Sequence, residues 1–151
     1  MRGITVALNW AEYLKMEAAA KAAGLSVPAY GRSLVQLGPW TTRRHVIQER
    51  DDGQRRRMAL DRVKATIMVT DEEWARLRAE AREARGVLPG GEEACGLSLP
   101  QYLRVRWGFR VRWTSKPNTY ERDVEENDAI EILESLGFNP SEYFSENHLA
   151  L

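Results

Sequence analysis

One pattern is written twice in this chain. Thr5-Val6-Ala7-Leu8, a helix-forming stretch and Gly24-Leu25-Ser26-Val27-Pro28-Ala29-Tyr30-Gly31-Arg32 return as Thr66-Ile67-Met68-Val69, a second helix-forming stretch and Gly96-Leu97-Ser98-Leu99-Pro100-Gln101-Tyr102-Leu103-Arg104. Each copy reads as strand, helix, helix. A unit this small cannot bury its own apolar face and needs a second copy packed against it. Here the partner lies in the same chain.

In the first copy Ile4, Val6 and Leu8 alternate with Gly3, Thr5 and Ala7, the period of a half-buried strand. Asn9 reads as an N-cap, and Tyr13, Met16, Ala20 and Ala23 form the stripe of an Ala-rich helix that Gly24 stops. Ser26 caps a second helix with Pro28 in its first turn, and Tyr30, Leu34 and Leu37 supply its buried stripe up to Gly38-Pro39. In the second copy Ile67 and Val69 point inward while Lys64, Thr66 and Met68 point outward, and Thr70-Asp71-Glu72-Glu73 is a capping box. Trp74, Leu77, Ala81 and Ala84 repeat the first stripe at an offset of 61; the offset then becomes 72, an 11-residue insertion around Gly86 to Glu93 expected as a Pro-Gly-Gly loop. From Arg104 to Trp113 basic and apolar residues alternate, which fits a strand by pattern or the end of the second helix by comparison with the first copy; the helix is preferred to about Gly108. A helix from Val124 to Leu136 and a short one after Asn139-Pro140, carrying Tyr143 and Phe144, make a C-terminal hairpin.

The chain thus divides into a first unit (1–38), a basic connector (39–63), a second unit (64–116) and an acidic helical extension (117–151). As a flexible coil, the connector of 25 residues spans roughly 25–30 Å, enough to bring the units face to face. The formal charge of zero hides an asymmetry: residues 1–116 carry 21 Lys or Arg against 13 Asp or Glu, whereas residues 117–151 carry one against nine. A basic body with an acidic tail suits a nucleic-acid binder whose tail repels phosphate or recruits a partner; a tail folded back on the body is the alternative. Cys95 is the single cysteine, so no intrachain disulfide forms, and no signal peptide or apolar run of about 20 residues appears; a cytoplasmic protein without membrane contact is expected. Cys95, His45 and His148 stand alone, and no metal-ligand spacing, phosphate loop or nucleophile motif is present, so neither enzymatic activity nor a cofactor or metal is expected.

The two copies, with Thr, Tyr or Trp, Gly-Leu-Ser, Pro, Tyr and Arg in matching places, resemble the ribbon-helix-helix family of DNA-binding proteins over Ile4 to Leu37 and Lys64 to about Gly108. The tandem form is similar to plasmid and T-DNA transfer accessory proteins. The resemblance implies a mainly α fold with a short two-stranded antiparallel β-ribbon, a pseudo-dimer within one chain that enters the major groove of double-stranded DNA. A ribbon is narrow enough for a groove about 12 Å wide. Thr5, Ala7, Lys64, Thr66 and Met68 would then face the base edges, with Lys64 the sole charged contact, so sequence reading is expected to be weak. The amides next to Ser26 and Ser98 offer phosphate anchors, and Arg43, Arg44, Arg55, Arg56 and Arg57 of the connector add counterion-release affinity. Unequal units remove the exact two-fold axis that a palindromic site requires.

Each of these residues also has a plainer reading. Thr5 and Thr66 serve equally as β-formers on a solvated face, and Arg55-Arg56-Arg57 as a solvated run. Arg32 and Arg104 fit either salt bridges or phosphate contacts. Tyr30 and Tyr102 fit core packing, as do Trp107 and Phe109, which otherwise suit stacking of single-stranded bases. The expected function is double-stranded DNA binding, as an accessory factor in plasmid or mobile-element DNA processing or as a transcriptional repressor, by a monomer or a dimer of pseudo-dimers. The alternatives are a protein-interaction module that kept the fold without DNA binding and holds a partner by the 120–151 hairpin or the 86–95 loop, and an antitoxin whose acidic extension neutralises a toxin.

Overall fold

Apolar residues at positions 4, 6 and 8 and at 63, 65, 67 and 69 give two strands one dry face each. In the computed structural model, which describes residues 1–38, 57–88, 92–112 and 118–144, β1 (Arg2–Asn9) pairs antiparallel with β2 (Arg62–Val69). The register sets Gly3 opposite Met68, Thr5 opposite Thr66, Ala7 opposite Lys64 and Asn9 opposite Arg62. Thr5 and Thr66 are also equivalent in the duplication, so a local two-fold axis passes through their rung and exchanges the units. β2 begins at Arg62 rather than at the expected Lys64, because buried Val63 continues the inward row.

Both strands run directly into capped helices. Asn9 accepts the Glu12 amide while the Glu12 carboxylate accepts the Asn9 amide, opening α1 (Trp10–Ala22); Thr70 and Glu73 do the same for α3 (Asp71–Glu83). Each box satisfies two helix-start amides that would otherwise lack partners. Ser26 and Ser98 cap α2 (Val27–Leu34) and α4 (Leu99–Arg106), with a proline in the first turn of each. These short helices close alike: the amides of Leu37 and Phe109 return to the carbonyls of Arg32 and Arg104 at 3.0 and 2.8 Å. The residue before each is left-handed, Gly108 at φ 93° and Gln36 at φ 62°. This closure ends α2 at Leu34, short of the expected Leu37. A left-handed side-chain-bearing residue costs about 1 kcal/mol, partly offset by the unfolded-state freedom that glycine adds. Gln36→Gly is therefore expected to raise stability by about 0.5–1 kcal/mol, read as a higher urea midpoint at unchanged slope.

The dry ribbon face, Tyr13 and Met16 of α1, Leu77 of α3, Leu103 of α4 and Trp107 belong to one apolar cluster, so the two units share a single core. The 11-residue insertion, expected as a loop, forms instead a short antiparallel hairpin of β3 (Arg85–Val87) and β4 (Glu93–Cys95); its Pro89-Gly90-Gly91 tip lies outside the described residues. Gly86 lets the hairpin press on the body, since a Cβ there would stand 2.2 Å from Val111 Cγ2.

The acidic extension folds back on the first unit. α5 (Thr119–Ser135) starts at Thr119 rather than the expected Val124, because Asn118 accepts the Glu121 amide at 2.8 Å and caps it. Ala129 and Leu133 of α5 meet Ala11, Ala59, Tyr143 and Phe144 in a second, smaller cluster, and a 3-10 turn occupies Pro140–Tyr143. The main chain of Ala59 ties the pieces together: it accepts from Ala11 at 3.1 Å and donates to Tyr143 at 2.8 Å. Among the described residues no helix is long and apolar enough to cross a membrane.

Candidate nucleic-acid interface

The face of the ribbon turned from the core carries Gly3, Thr5, Ala7, Lys64, Thr66 and Met68, all exposed except half-buried Thr66. Thr5 and Thr66 sit on the local axis with their hydroxyl oxygens 2.9 Å apart, so one hydroxyl donates to the other and a single proton stays free for a base. Met68 is 41% exposed, an uncommon state for a large apolar side chain on a strand. Alternation puts one further residue in this row: Arg62, which the sequence reading left in the connector. The row therefore has two cations, and the pattern that reveals the second is the extension of the Val63, Ala65, Ile67, Val69 alternation one step upstream.

Arg32 and Arg104 are core residues, 1% and 4% exposed. Arg32 donates to the Met68 carbonyl at 2.7 Å, to the Gly38 carbonyl at 2.7 Å and to both Glu73 oxygens at 3.1 and 2.9 Å. Arg104 donates to the Ala7 carbonyl at 3.0 Å, to the Arg110 carbonyl and to both Glu12 oxygens at 2.8 and 2.7 Å. The two sets are related by the local axis. Each arginine reaches from its own unit into the strand and helix cap of the other, so both are cross-unit clamps with no guanidinium left at the surface for phosphate. The missed signal was the Glu at the third helical position of both capping boxes.

These clamps shift the acids they hold. Burial alone would raise Glu12, but the hydrogen bond and charge of Arg104, the charge of Arg112 and the Asn9 amide outweigh it and keep the carboxyl below its ordinary 4.5. The Arg32 hydrogen bond does the same for Glu73, against a smaller effect of burial. Burial and the charge of Arg104 push Arg112 down to about 10, against the pull of Glu12 and Glu125.

At the starts of α2 and α4 the phosphate anchors are narrower than expected. Pro28 and Pro100 have no N–H, and the Ser26 and Ser98 hydroxyls occupy the amides of Ala29 and Gln101 at 3.2 and 3.4 Å. Each start leaves one first-turn amide for an anion, that of Val27 or Leu99. Arg57 stacks 4.9 Å over the Trp10 ring, which itself stacks on Tyr13. Arg43, Arg44, Arg55 and Arg56 lie outside the described residues, as do His45, Trp113 and His148. Tyr102 is in the core with its hydroxyl on Glu80 at 2.7 Å, Tyr30 packs against the same core, and Trp107 and Phe109 are buried in it. Cys95 is exposed and unpaired, and among the described residues no three His, Cys, Asp or Glu side chains are grouped to hold a metal ion.

Comparison with models of known families, with curated proteins and with solved structures gave no match to this chain. What stands is two strand-then-helices units, laid out as in ribbon-helix-helix proteins, with their strands paired.

Proposed function

We propose that this chain binds double-stranded DNA by laying the β1–β2 ribbon in the major groove, as a single-chain pseudo-dimeric ribbon-helix-helix protein acting in plasmid or mobile-element DNA processing or in repression. The observation that carries this reading is the two-faced ribbon: one face is sealed into the shared core, and the other presents an uncovered central row of small and polar side chains. A narrow, twisted two-stranded element bare on one side has the dimensions of a groove reader. Thr5, Thr66, Ala7 and Met68 supply hydroxyl and methyl contacts, and Lys64 and Arg62 the charge. With so few forked donors, affinity comes mainly from phosphate neutralisation and discrimination among sequences is modest.

The test is fluorescence anisotropy with a mixed-sequence duplex across a salt series, comparing the intact protein with a Lys64→Ala, Thr66→Ala variant. The expected result is salt-dependent binding that weakens about tenfold in the variant, with a salt slope lower by about one. Equal binding by both proteins would move DNA off the ribbon; no binding by the intact protein would end the proposal.

A second reading, partner binding without DNA, is favoured by one observation: Tyr120 and Phe138 of the acidic extension are 60% and 39% exposed. Aromatics held out on a charged segment suit a protein interface, including that of an antitoxin.

A further inference from the structure

The outer row of the ribbon does not end at Lys64. Arg62 stands at its far end opposite Asn9, and there α5 reaches the ribbon. Glu125 accepts from both terminal nitrogens of Arg62 and from Asn9 Nδ2 at 3.3 Å, and lies 3.4 Å from Arg112 Nη2. One turn later Asp128 accepts from Nε and Nη2 of Arg110 at 2.9 and 3.3 Å. Two carboxylates on one helix face thus engage three guanidiniums.

A fork of guanidinium donors on paired oxygens is also how arginine takes a phosphodiester. The Arg62 and Arg110 side chains are 49% and 37% exposed, so the fork is reachable from solvent. Arg112 Nη1 is buried without an acceptor among the described residues. Arg112 lines a cavity of about 40 Å³ between α5 and the ribbon end, together with Asn9, Arg62 and Arg110. The helix that covers this cluster adds no buried residue to the shared core and touches it through half-buried Ile132; its buried residues Ala129 and Leu133 belong to the smaller cluster on α1, and the symmetry-related end of the ribbon carries no such cover among the described residues. The covered end therefore has one buried donor left over, Arg112 Nη1, after Glu12 has taken Arg112 Nη2 at 2.7 Å, and a lid of carboxylates added from outside the duplicated fold.

We propose that Arg62, Arg110 and Arg112, with Asn9, form a second phosphodiester-binding site continuous with the ribbon face, and that α5 keeps it closed by placing Glu125 and Asp128 where phosphate oxygens would sit. The inference rests on the ribbon reading of function. DNA backbone and α5 compete for the same guanidiniums, so α5 lowers the affinity and the number of phosphates neutralised.

The test compares the intact protein, Glu125→Gln with Asp128→Asn, and a charge-matched control, Asp123→Asn with Glu134→Gln, two exposed acids elsewhere on α5. Each is titrated with a mixed-sequence duplex across a salt series. Removing the lid carboxylates is expected to tighten binding about tenfold beyond the control and to steepen the salt slope by up to about two, near 0.9 per phosphate gained. Because Glu125 shares buried Arg112 with Glu12, which holds it at 2.7 Å, Asp128→Asn alone is measured as well; its arginine is partly solvated, the fold is kept, and the slope is expected to steepen by about one. Equal shifts in the lid and control variants, or weaker binding in the lid variants, overturn the closed site and leave the ribbon reading intact. Binding by the lid variants alone supports it in its strongest form. No binding by any of the proteins overturns both.

Discussion

Glu12→Ala is expected to cost about 3–5 kcal/mol of stability and to lower the melting temperature by roughly 6–20 °C, with Glu73→Ala costing less. The two glutamates are equivalent in the duplication, cap equivalent helices and hold equivalent arginines, but they are not equally placed. The Glu12 side chain is 8% exposed and neutralises both Arg104, at 2.7 Å, and Arg112, at 2.7 Å. The Glu73 side chain is 21% exposed and pairs with Arg32 at 2.9 Å. Losing Glu12 strands buried Arg104 and leaves Arg112 with Glu125 alone, at 3.4 Å, and an uncompensated buried charge costs far more than the pair itself contributes. Calorimetry on the two variants checks the order, and an equal or reversed order would refute it. Acid exposes the same device. Both carboxyls are held below their ordinary 4.5, so the stabilisation is complete above that value and is lost as pH falls through the lower folded-state values. The urea midpoint of the intact protein should drop more steeply below about pH 4.5 than that of Glu12→Gln.

Trp107→Ala is expected to cost about 3–5 kcal/mol and Trp107→Phe about 1–3 kcal/mol. The indole lies across the unit boundary, 5% exposed, and its Nε1 donates to the Gly31 carbonyl at 3.1 Å. That carbonyl depends on it, because the Val35 amide, its regular helical partner, turns to the Arg32 carbonyl as α2 closes. Phenylalanine restores most of the buried surface but orphans the carbonyl; alanine also opens a cavity. Gly31 is small for the same reason: a Cβ would stand 2.7 Å from Trp107 Cζ2 and 3.4 Å from Ile67 Cγ2. Denaturant unfolding of the two variants reads both costs. A Phe variant as stable as the intact protein would mean that the hydrogen bond contributes nothing.

Much of the fold was legible because the pattern occurs twice. Alternation at Ile4, Val6 and Leu8, the Thr70 to Glu73 box and the paired Gly-Leu-Ser caps are local signals, and the structure has a strand, a capped helix and a capped helix at those places. What escaped depends on partners distant in sequence. Arg32 and Arg104 read equally as surface or clamp until their acids, 41 and 92 residues away, are known. Arg62 looked like part of a basic connector because it continues the arginines of residues 39–63. The hairpin in the insertion has three-residue strands, too short for alternation to show. The C-terminal acids appeared as net charge alone; that two of them reach the ribbon end follows from where α5 docks.

The exchanged arginines set a schedule for making the protein. Arg104 reaches back across 97 residues to the Ala7 carbonyl and across 92 to Glu12, and β1 has no partner strand until Arg62–Val69 has been made. As the chain leaves the ribosome, the first unit carries an unpaired strand edge and a carboxylate whose cation has not yet been synthesised. Glu12 gains that cation, Arg104, only when the fourth helix emerges. Such long-range closure slows folding and leaves the nascent first unit open to wrong strand pairing until the second strand has been made.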